Sequence, residues 1–403
     1  MRRSFAAGLA ALTLLLLAGC GGSKASPSEV PEQPSEEPAP PEPTAEELAA
    51  REIETILSSL TLEEKVGQLF FVRCPAEHAI EDIGTYHLGG YLLFGRDYQD
   101  AAGSWLTEEQ FVQTITAYQD AALADTGIPL LIGSDEEGGT VTRASRNPNL
   151  FSSPFRSPQQ IAAEAGGRGE AFAEDALEKS NGLKNLGINV NLSPVADVST
   201  EPKDFIYDRT LGQDAQSTAD YVASVVAAVR EAGGMGSVLK HFPGYGNNVD
   251  THTGIAVDQR SLESFFSSDF LPFQAGIRAG GGTAAVLVSH NIMAAVDETL
   301  PSSLSPAVHQ LLREDLGFDG VVMTDDLAMD AVAAYAQDGA VAVLALEAGN
   351  DLIITTDYRT QIPKVMQALE AGELEESVID AACRRVLTWK QTLGLLLPGE
   401  RIS

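Results

Sequence analysis

A glycine-rich stretch, KHFPGYGNNVDTHTG at residues 240–254, places acidic and basic side chains within a few positions of one another. Asp250 precedes His252 by two residues, so both side chains can project from the same side of an extended segment. A carboxylate placed there can orient an imidazole and stabilise its protonated form, and histidine titrates near neutral pH. The pair is therefore a candidate for general acid and base catalysis.

Short apolar runs bounded by turn residues predict the elements that position this segment. They predict eight strands, at residues 68–72, 90–94, 129–135, 189–195, 236–244, 285–291, 320–326 and 351–357. The runs are continuously apolar, as in strands buried on both faces, and helical patterns separate them. Strand and helix in alternation predict the α/β class and a (β/α)8 TIM-like barrel. An open doubly wound sheet is the alternative, although no GxGxxG follows the first strand.

Polar residues follow most of the predicted strands. A parallel barrel brings the carboxyl ends of its strands to one face, and active sites are built there from the following loops. The segments GSDEEGG, PVADV, KHFPGYG, SHN and TDD all stand at such ends. We also expect Asp197, His290, Asn350 and Asp351 near this mouth, in supporting positions.

The first residues of the chain have the features of an export signal and a tether. Residues 1–20 hold basic residues, an apolar run and the ending LAGC, which resembles the lipobox of bacterial lipoproteins and predicts lipidation at Cys20. Ordinary secretory cleavage is the alternative. Residues 21–45 are rich in Pro, Glu and Ser and predict a disordered tether. We expect residues 46–400 to form one barrel domain, anchored by lipid to the outer face of a bacterial cell membrane.

The charge of the chain narrows the possible partners. Its formal net charge is -31, so nucleic acid and anionic lipid surfaces would repel it. Cys74 and Cys383 are far apart and do not suggest a disulfide framework. His241, Asp250 and His252 are possible metal-ligand types, but no HxxxH or paired cysteines accompany them, and we expect no metal.

Five separated motifs resemble glycoside hydrolase family 3. They are LTLEEKVGQLF, SDEEGGTVTR, NLSPVADV, KHFPGYG followed by DTH, and LREDLGFDGVVMTDDLAM. The resemblance extends over roughly residues 55 to 390. The Asp-Thr-His triplet after KHFPG resembles the β-N-acetylglucosaminidase branch of the family rather than the β-glucosidase branch.

The resemblance implies a retaining mechanism, in which a carboxylate attacks the anomeric carbon and a second group moves a proton. It implies Asp325 as the nucleophile and His252, oriented by Asp250, as the acid and base. Asp326 is the rival nucleophile, and we expect only one of the two neighbours to face the mouth. A helix N-cap is the alternative role for Asp325. The resemblance further implies five substrate-binding residues, namely Asp135, Arg143, Arg209, Lys240 and His241.

The implied activity is that of an exo-acting β-N-acetylglucosaminidase acting as a monomer without a cofactor. Peptidoglycan fragments or other cell-wall saccharides are the expected substrates. A phosphorylase, a β-glucosidase and a noncatalytic sugar-binding lipoprotein remain alternatives. Departures from the family pattern leave the substrate open, since Tyr245 replaces a common histidine, Glu136 a glutamine and Thr140 an arginine. The spacing between Gly246 and Asp250 is also one residue shorter than in many relatives.

Overall fold

A parallel barrel forms the centre of the molecule. The structure is a computed structural model that describes residues 43–166, 169–248, 255–333, 335 and 340–396. Its strands are β1 Phe70–Arg73, β2 Gly90–Leu93, β3 Leu131–Ser134, β4 Val190–Asn191, β5 Gly236–Phe242, β6 Val257–Asp258, β7 Ala284–Val288, β8 Ile292–Met293, β9 Val322–Thr324 and β10 Ile353–Thr355.

Eight of these strands form one parallel sheet in the order β10-β1-β2-β3-β4-β5-β7-β9. The first and last strands in the chain pair in register, with Phe70 opposite Ile353. β9 meets β10 through a parallel bridge between Met323 and Leu352, so the barrel is nearly closed. This arrangement confirms the predicted (β/α)8 fold and excludes the open doubly wound sheet. The observed strands are mostly shorter than predicted, because their polar ends already belong to the loops above the barrel.

Helices surround the barrel. They are α1 Ala45–Ser59, α2 Leu62–Gln68, α3 Ala79–Tyr86, α4 Glu108–Asp125, α5 Pro158–Ala165, α6 Ala171–Asn185, α7 Ala215–Ala232, α8 Leu262–Ser267, α9 Phe270–Gly280, α10 Pro306–Gln310, α11 Asp330–Ala333, α12 Val341–Ala348, α13 Tyr358–Ala371 and α14 Glu376–Thr392. A π-helical turn at Leu311–Asp315 continues α10. Thr44, Thr61, Thr107 and Ser157 close capping boxes at the starts of α1, α2, α4 and α5, so local sequence sets these boundaries.

The strands are buried on both faces, as their continuous apolar runs predicted. Every residue of β2, β3, β5 and β7 is buried, because the barrel interior covers one face and the helices cover the other. Cys74 and Cys383 are buried as separate thiols, and burial raises the pKa of each to about 12. Within the described ranges, no helix is long and apolar enough to cross a membrane.

The expectation that Asp351 lies near the mouth is wrong, whereas Asn350 donates to the carbonyl of Ser303, the residue whose hydroxyl contacts His290. Asp351 lies two residues before β10 and pairs with Arg313 at 2.6 Å and with Arg385 at 2.9 Å. Arg313 also donates to the carbonyl of Gly320, ahead of β9. Residues before a parallel strand lie at its amino end, so this cluster stabilises the face of the barrel opposite the cavity described below.

Candidate active site

A cavity of about 380 Å³ lies where the barrel strands end. The residues lining it are Arg73, Leu92, Phe94, Asp135, Glu137, Val141, Arg143, Leu192, Arg209, Lys240, His241, Tyr245, Leu287, Asp325, Asp326, Met329 and Ile354. Six of the residues predicted from sequence are among them, which are Asp135, Arg143, Arg209, Lys240, His241 and Asp325. The fold therefore brings together side chains from the ends of β3, β5 and β9 and from the loop after β4.

A buried cluster of charges forms one wall of the cavity. Lys240, on β5, lies 2.7 Å from both Asp135 and Glu137, which follow β3. Arg209 makes a bidentate pair with Glu137, through its Nε at 2.9 Å and its Nη2 at 2.7 Å. Glu137 thus connects a cation on strand β5 with one from the loop after β4, and Asp135 accepts from Lys240 while lining the cavity.

The opposite charges of this cluster stabilise one another's ionised forms. Burial would raise the pKa of Glu137, but Lys240 and Arg209 outweigh it and lower that pKa well below its usual range. Burial would likewise lower the pKa of Lys240, and Asp135 and Glu137 raise it instead. Arg209 also has a raised pKa, since Glu137 overcomes the effect of its burial. All three groups therefore stay charged at neutral pH and offer N–H donors and carboxylate acceptors to a polar ligand.

His241 is held on both of its ring nitrogens. Arg209 Nη2 lies 2.9 Å from Nε2, and because guanidinium only donates, that nitrogen accepts. Nδ1 therefore carries the proton and donates to Asp197 at 2.8 Å. Asp197 also accepts from the backbone N–H groups of His241 and Tyr245, at 3.0 and 2.7 Å. Asp197 therefore orients His241 and the start of the following loop, which agrees with the predicted supporting position.

Asp325 and Asp326 both contribute to the cavity lining, which corrects the expectation that only one of them faces the mouth. β9 ends at Thr324, so the two aspartates lie in a bend where side chains no longer alternate. The carboxylate of Asp326 accepts from Thr356 Oγ1 at 2.8 Å and from the backbone N–H of Ala328 at 2.9 Å. Asp326 therefore ties together the loops after β9 and β10.

A buried glutamate shapes the loop that carries Arg143. Glu136 accepts from the backbone N–H of Arg143 at 2.6 Å and from Ser145 Oγ at 2.8 Å. It also accepts from the N–H of Ala144. Burial raises the pKa of Glu136, and these donors partly oppose that effect. The carboxylate that replaces a glutamine of the family pattern is thus enclosed by donors, while Arg143 Nη2 lies 4.0 Å from Asp135.

His290 lies beside the end of β9, in agreement with the expected supporting position. Its Nε2 lies 3.1 Å from the carbonyl oxygen of Asp326, so that nitrogen donates, and Nδ1 accepts from Ser303 Oγ at 2.7 Å. Three predicted residues, Asp250, His252 and Cys20, lie outside the described part of the chain, and their roles stay predictions.

Sequence reasoning missed two charged residues of the cavity, Glu137 and Arg73. Glu137 stands two positions after Asp135, which ends the third predicted strand. That position was the signal that could have identified Glu137 as a residue of the cavity. Arg73 is the last residue of β1 and stacks over Phe94, with its guanidinium carbon 4.4 Å from the ring centre, and its buried Nε has no hydrogen-bond partner among the described residues. The dipeptide Arg-Cys after an apolar run matches no recognised motif, so the sequence alone carried no signal for Arg73. Across the described ranges, no group of three or more His, Cys, Asp or Glu side chains could hold a metal ion.

Comparison with known proteins relates this site to one family. The family model described as "Glycosyl hydrolase family 3 N terminal domain" matches residues 61–389. A Mycobacterium tuberculosis protein named Beta-hexosaminidase LpqI is 30% identical over 348 residues, which cover 82% of this chain and 83% of that protein.

Two solved structures have the same fold. A family 3 beta-N-acetylglucosaminidase from Paenibacillus matches with a TM-score of 0.74 and 30% identity, over 85% of this chain and 65% of that one. A glycosyl hydrolase of the same family from Mycobacterium smegmatis matches with a TM-score of 0.72 and 29% identity, over 85% of this chain and 99% of that one.

Proposed function

The chain belongs to glycoside hydrolase family 3, and from that premise we propose that it is an exo-acting, retaining β-N-acetylhexosaminidase. Its proposed substrates carry terminal β-linked N-acetylglucosamine, as in peptidoglycan-derived or other cell-wall saccharides. The names of the Mycobacterium tuberculosis and Paenibacillus relatives support the activity. The observation that carries the proposal is that Asp325 lines the same cavity as all five candidate sugar-binding residues.

In the first step, a carboxylate oxygen of Asp325 attacks the anomeric carbon and forms a glycosyl ester. The bond from that carbon to the aglycone oxygen breaks, and the oxygen takes a proton from His252. In the second step, water attacks the same carbon, gives a proton back to His252 and releases Asp325. Asp250 orients His252 and stabilises its protonated form.

The charged wall binds the sugar while this happens. A carboxylate such as Asp135 accepts hydrogen bonds from two hydroxyls of a ring. Lys240, Arg209 and Arg143 donate to the remaining oxygens, and His241 is oriented by Asp197 for the same purpose. The Lys240–Glu137–Arg209 contacts hold these donors in place, so little reorganisation is needed to bind the sugar.

Trapping of the covalent intermediate tests this proposal. A 2-fluoro sugar with a good leaving group slows the second step, so the glycosyl ester accumulates and mass spectrometry locates it. We expect the label on Asp325 and no turnover in Asp325→Ala, with sugar binding largely retained. Asp319→Ala changes an exposed aspartate in the turn before β9 and serves as the matched control. A label on Asp326, or full turnover by Asp325→Ala, would refute the assignment.

Two comparisons separate the remaining enzymatic alternatives. Product analysis in phosphate and in a non-nucleophilic buffer distinguishes hydrolysis from phosphorolysis, because only a phosphorylase yields a sugar phosphate. A panel of aryl glycosides that differ at the second carbon distinguishes an N-acetylhexosaminidase from a β-glucosidase.

The proposed location is the outer face of a bacterial cell membrane. Basic residues followed by an apolar run and LAGC support export and lipidation of Cys20. The Pro, Glu and Ser residues between 21 and 45 support a tether that spaces the barrel from the bilayer.

A further inference from the structure

An exposed phenylalanine stands beside the mouth of the cavity. Phe205 lies in the loop between β4 and α7, and loops that follow barrel strands lie on the face where the cavity opens. Its ring centre lies 5.7 Å from that of Tyr245, which is buried and lines the cavity. Phe205 itself is 39% exposed and is not part of the lining. Its ring therefore continues the wall of the cavity outward, toward solvent.

Three rings follow one another from the surface to the cavity. Behind Phe205, Tyr245 meets His241 edge-on, with ring centres 5.2 Å apart and planes at 87°. The backbone N–H of Tyr245 donates to Asp197 at 2.7 Å, which fixes the middle ring of the series. His241 is one of the candidate sugar-binding residues, so two ring contacts join Phe205 to the site where the terminal sugar is proposed to bind.

Hydrogen bonds hold the backbone on both sides of Phe205. Before it, the carboxylate of Asp204 accepts from Ser199 Oγ at 2.9 Å. After it, Ile206 is buried, and its carbonyl accepts from the N–H of Arg209 at 3.0 Å. The guanidinium of Arg209 belongs to the charged wall of the cavity, so the same loop carries a cavity residue and the exposed ring. The ring is thus held in position, and a ligand that binds it has little ordering to do.

Exposure alone does not distinguish Phe205, because apolar residues occur singly on most protein surfaces. Phe266 on α8 is 36% exposed, and its ring packs 5.1 Å from that of Phe270 in the hydrophobic core. Neither Phe205 nor Phe266 lines the cavity. Of these two exposed phenylalanines, only Phe205 has a cavity residue as its aromatic partner.

The rim is where the rest of a saccharide must lie. When the charged wall holds the terminal sugar inside the cavity, the next ring of the chain leaves through the mouth and crosses the rim. The face of an aromatic ring carries partial negative charge, and the C–H groups on one face of a pyranose carry partial positive charge, so the two faces attract each other. Phe205 offers such a face, and stacking on it does not depend on the hydroxyl pattern of the second ring.

We propose that Phe205 forms a subsite for the second sugar ring of the substrate, which stacks on its exposed face. This inference rests on the proposed function, in which the second ring departs with the aglycone oxygen. It deepens that function by assigning the binding of the second ring to a residue outside the cavity. A contact made with the second ring favours substrates that possess one and leaves the contacts of the terminal sugar unaltered.

The test compares kcat/KM for two substrates with the same terminal sugar, the β-1,4-linked dimer of N-acetylglucosamine and its methyl β-glycoside. An aromatic contact contributes roughly 3–10-fold in affinity, so we expect Phe205→Ala and Phe205→Leu to lose that factor on the dimer and less than ~2-fold on the methyl glycoside. Phe205→Trp keeps an aromatic face and should keep the wild-type ratio of the two values. Phe205→Leu keeps an apolar side chain over Tyr245, so it decides the question if Phe205→Ala does not fold.

Phe266→Ala is the matched control, since Phe266 is the same residue type with similar exposure but packs on the core. It should leave the ratio of the two kcat/KM values as in the wild type. Equal losses on both substrates in Phe205→Ala and Phe205→Leu, an unchanged ratio in these variants, or the same change of ratio in Phe266→Ala would overturn the proposal.

Binding measurements separate this inference from the proposed function. If the wild type hydrolyses no glycoside, the proposed function fails, and calorimetry with N-acetylglucosamine and its β-1,4-linked dimer then tests the subsite alone. We expect the wild type and Phe266→Ala to bind the dimer more tightly than the monomer, and Phe205→Ala to lose that difference. Equal affinity of the wild type for the two sugars, or a preference for the dimer that Phe205→Ala keeps, would refute the subsite.

Discussion

At the scale of single residues, Glu137 is the centre of the candidate site. It is buried, and a charge taken out of water is stable only with close partners. Lys240 and Arg209 supply them at 2.7 Å, and through them Glu137 sets the positions of two donors on the cavity wall. Glu137 thus matters for binding through the two cations that it orients.

Glu137→Gln keeps the shape of this side chain and removes its charge. Breaking a buried ion pair costs ~3–5 kcal/mol, so we expect the free energy of unfolding to fall by about that amount. kcat/KM should also fall, because Arg209 and Lys240 lose their orientation. Denaturant unfolding and steady-state kinetics measure the two effects.

Glu164→Gln is the control for this prediction, since Glu164 pairs with Arg156 at the surface and is 59% exposed. Exposed pairs contribute ~0–1 kcal/mol, so this variant should keep wild-type stability and kinetics. Similar unfolding free energies for the two variants would contradict the role assigned to Glu137.

At the scale of elements, strand ends carry the candidate chemistry and helix α14 carries an unusual core residue. Lys390 lies on α14 and is fully buried, with its Nζ donating to Gln68 at 2.8 Å. Burial lowers the pKa of Lys390 from 10.5 to about 7, since the loss of water outweighs the opposing effect of the nearby Cys383. The contact lies before β1, at the amino end of the barrel, so it bears on stability rather than on the cavity.

Lys390→Met should remove a pH dependence of stability. Between about pH 7 and 10.5 the unfolded chain binds a proton at this lysine and the folded chain does not, so folding becomes more favourable as pH rises. Each unit by which the pKa of Lys390 differs between the folded and unfolded chain corresponds to ~1.4 kcal/mol of the free energy of unfolding. We expect Lys390→Met to be more stable than the wild type at neutral pH. We also expect its stability not to increase between about pH 7 and 10.5.

Urea unfolding at intervals between about pH 6 and about pH 10 measures this effect. Lys364→Met, on α13 and partly exposed, is the control and should keep the wild-type slope. A slope in Lys390→Met equal to that of the wild type would show that the buried ammonium does not contribute.

At the scale of the whole molecule, the net charge and the proposed membrane attachment come from different parts of the chain. The first 50 residues carry a net charge of -4, and the rest of the chain carries -27 of the total of -31. Such a surface is repelled by anionic headgroups within the ~8–10 Å range of electrostatic screening. The membrane attachment that we propose would therefore depend on the lipid at Cys20 and not on the surface of the barrel.

Cys20→Ser should release the protein from the membrane. We expect the variant in the soluble fraction after cell breakage, and the purified variant should not bind anionic vesicles even at low ionic strength. Cys74→Ser, which changes a buried thiol, should stay with the membrane. Membrane recovery of Cys20→Ser equal to that of the wild type would refute lipid anchoring at this residue.

The sequence by itself determined the barrel and most of the candidate cavity. Apolar runs of strand length and their alternation with helical patterns are local signals, and they placed all eight barrel strands. Since parallel strands end on one face, position after a strand was enough to assemble Asp135, Lys240 and Asp325.

Only the tertiary structure decided which charges pair. The Lys240–Asp135 contact joins residues 105 positions apart, and the Glu137–Arg209 contact joins residues 72 apart. Such pairs depend on the register and tilt of neighbouring strands, which local composition does not encode. Asp351 lies at the far end of the barrel for a different reason, because it precedes β10 in the chain, and only the fold shows that burial beside Arg313 and Arg385 gives it a structural role.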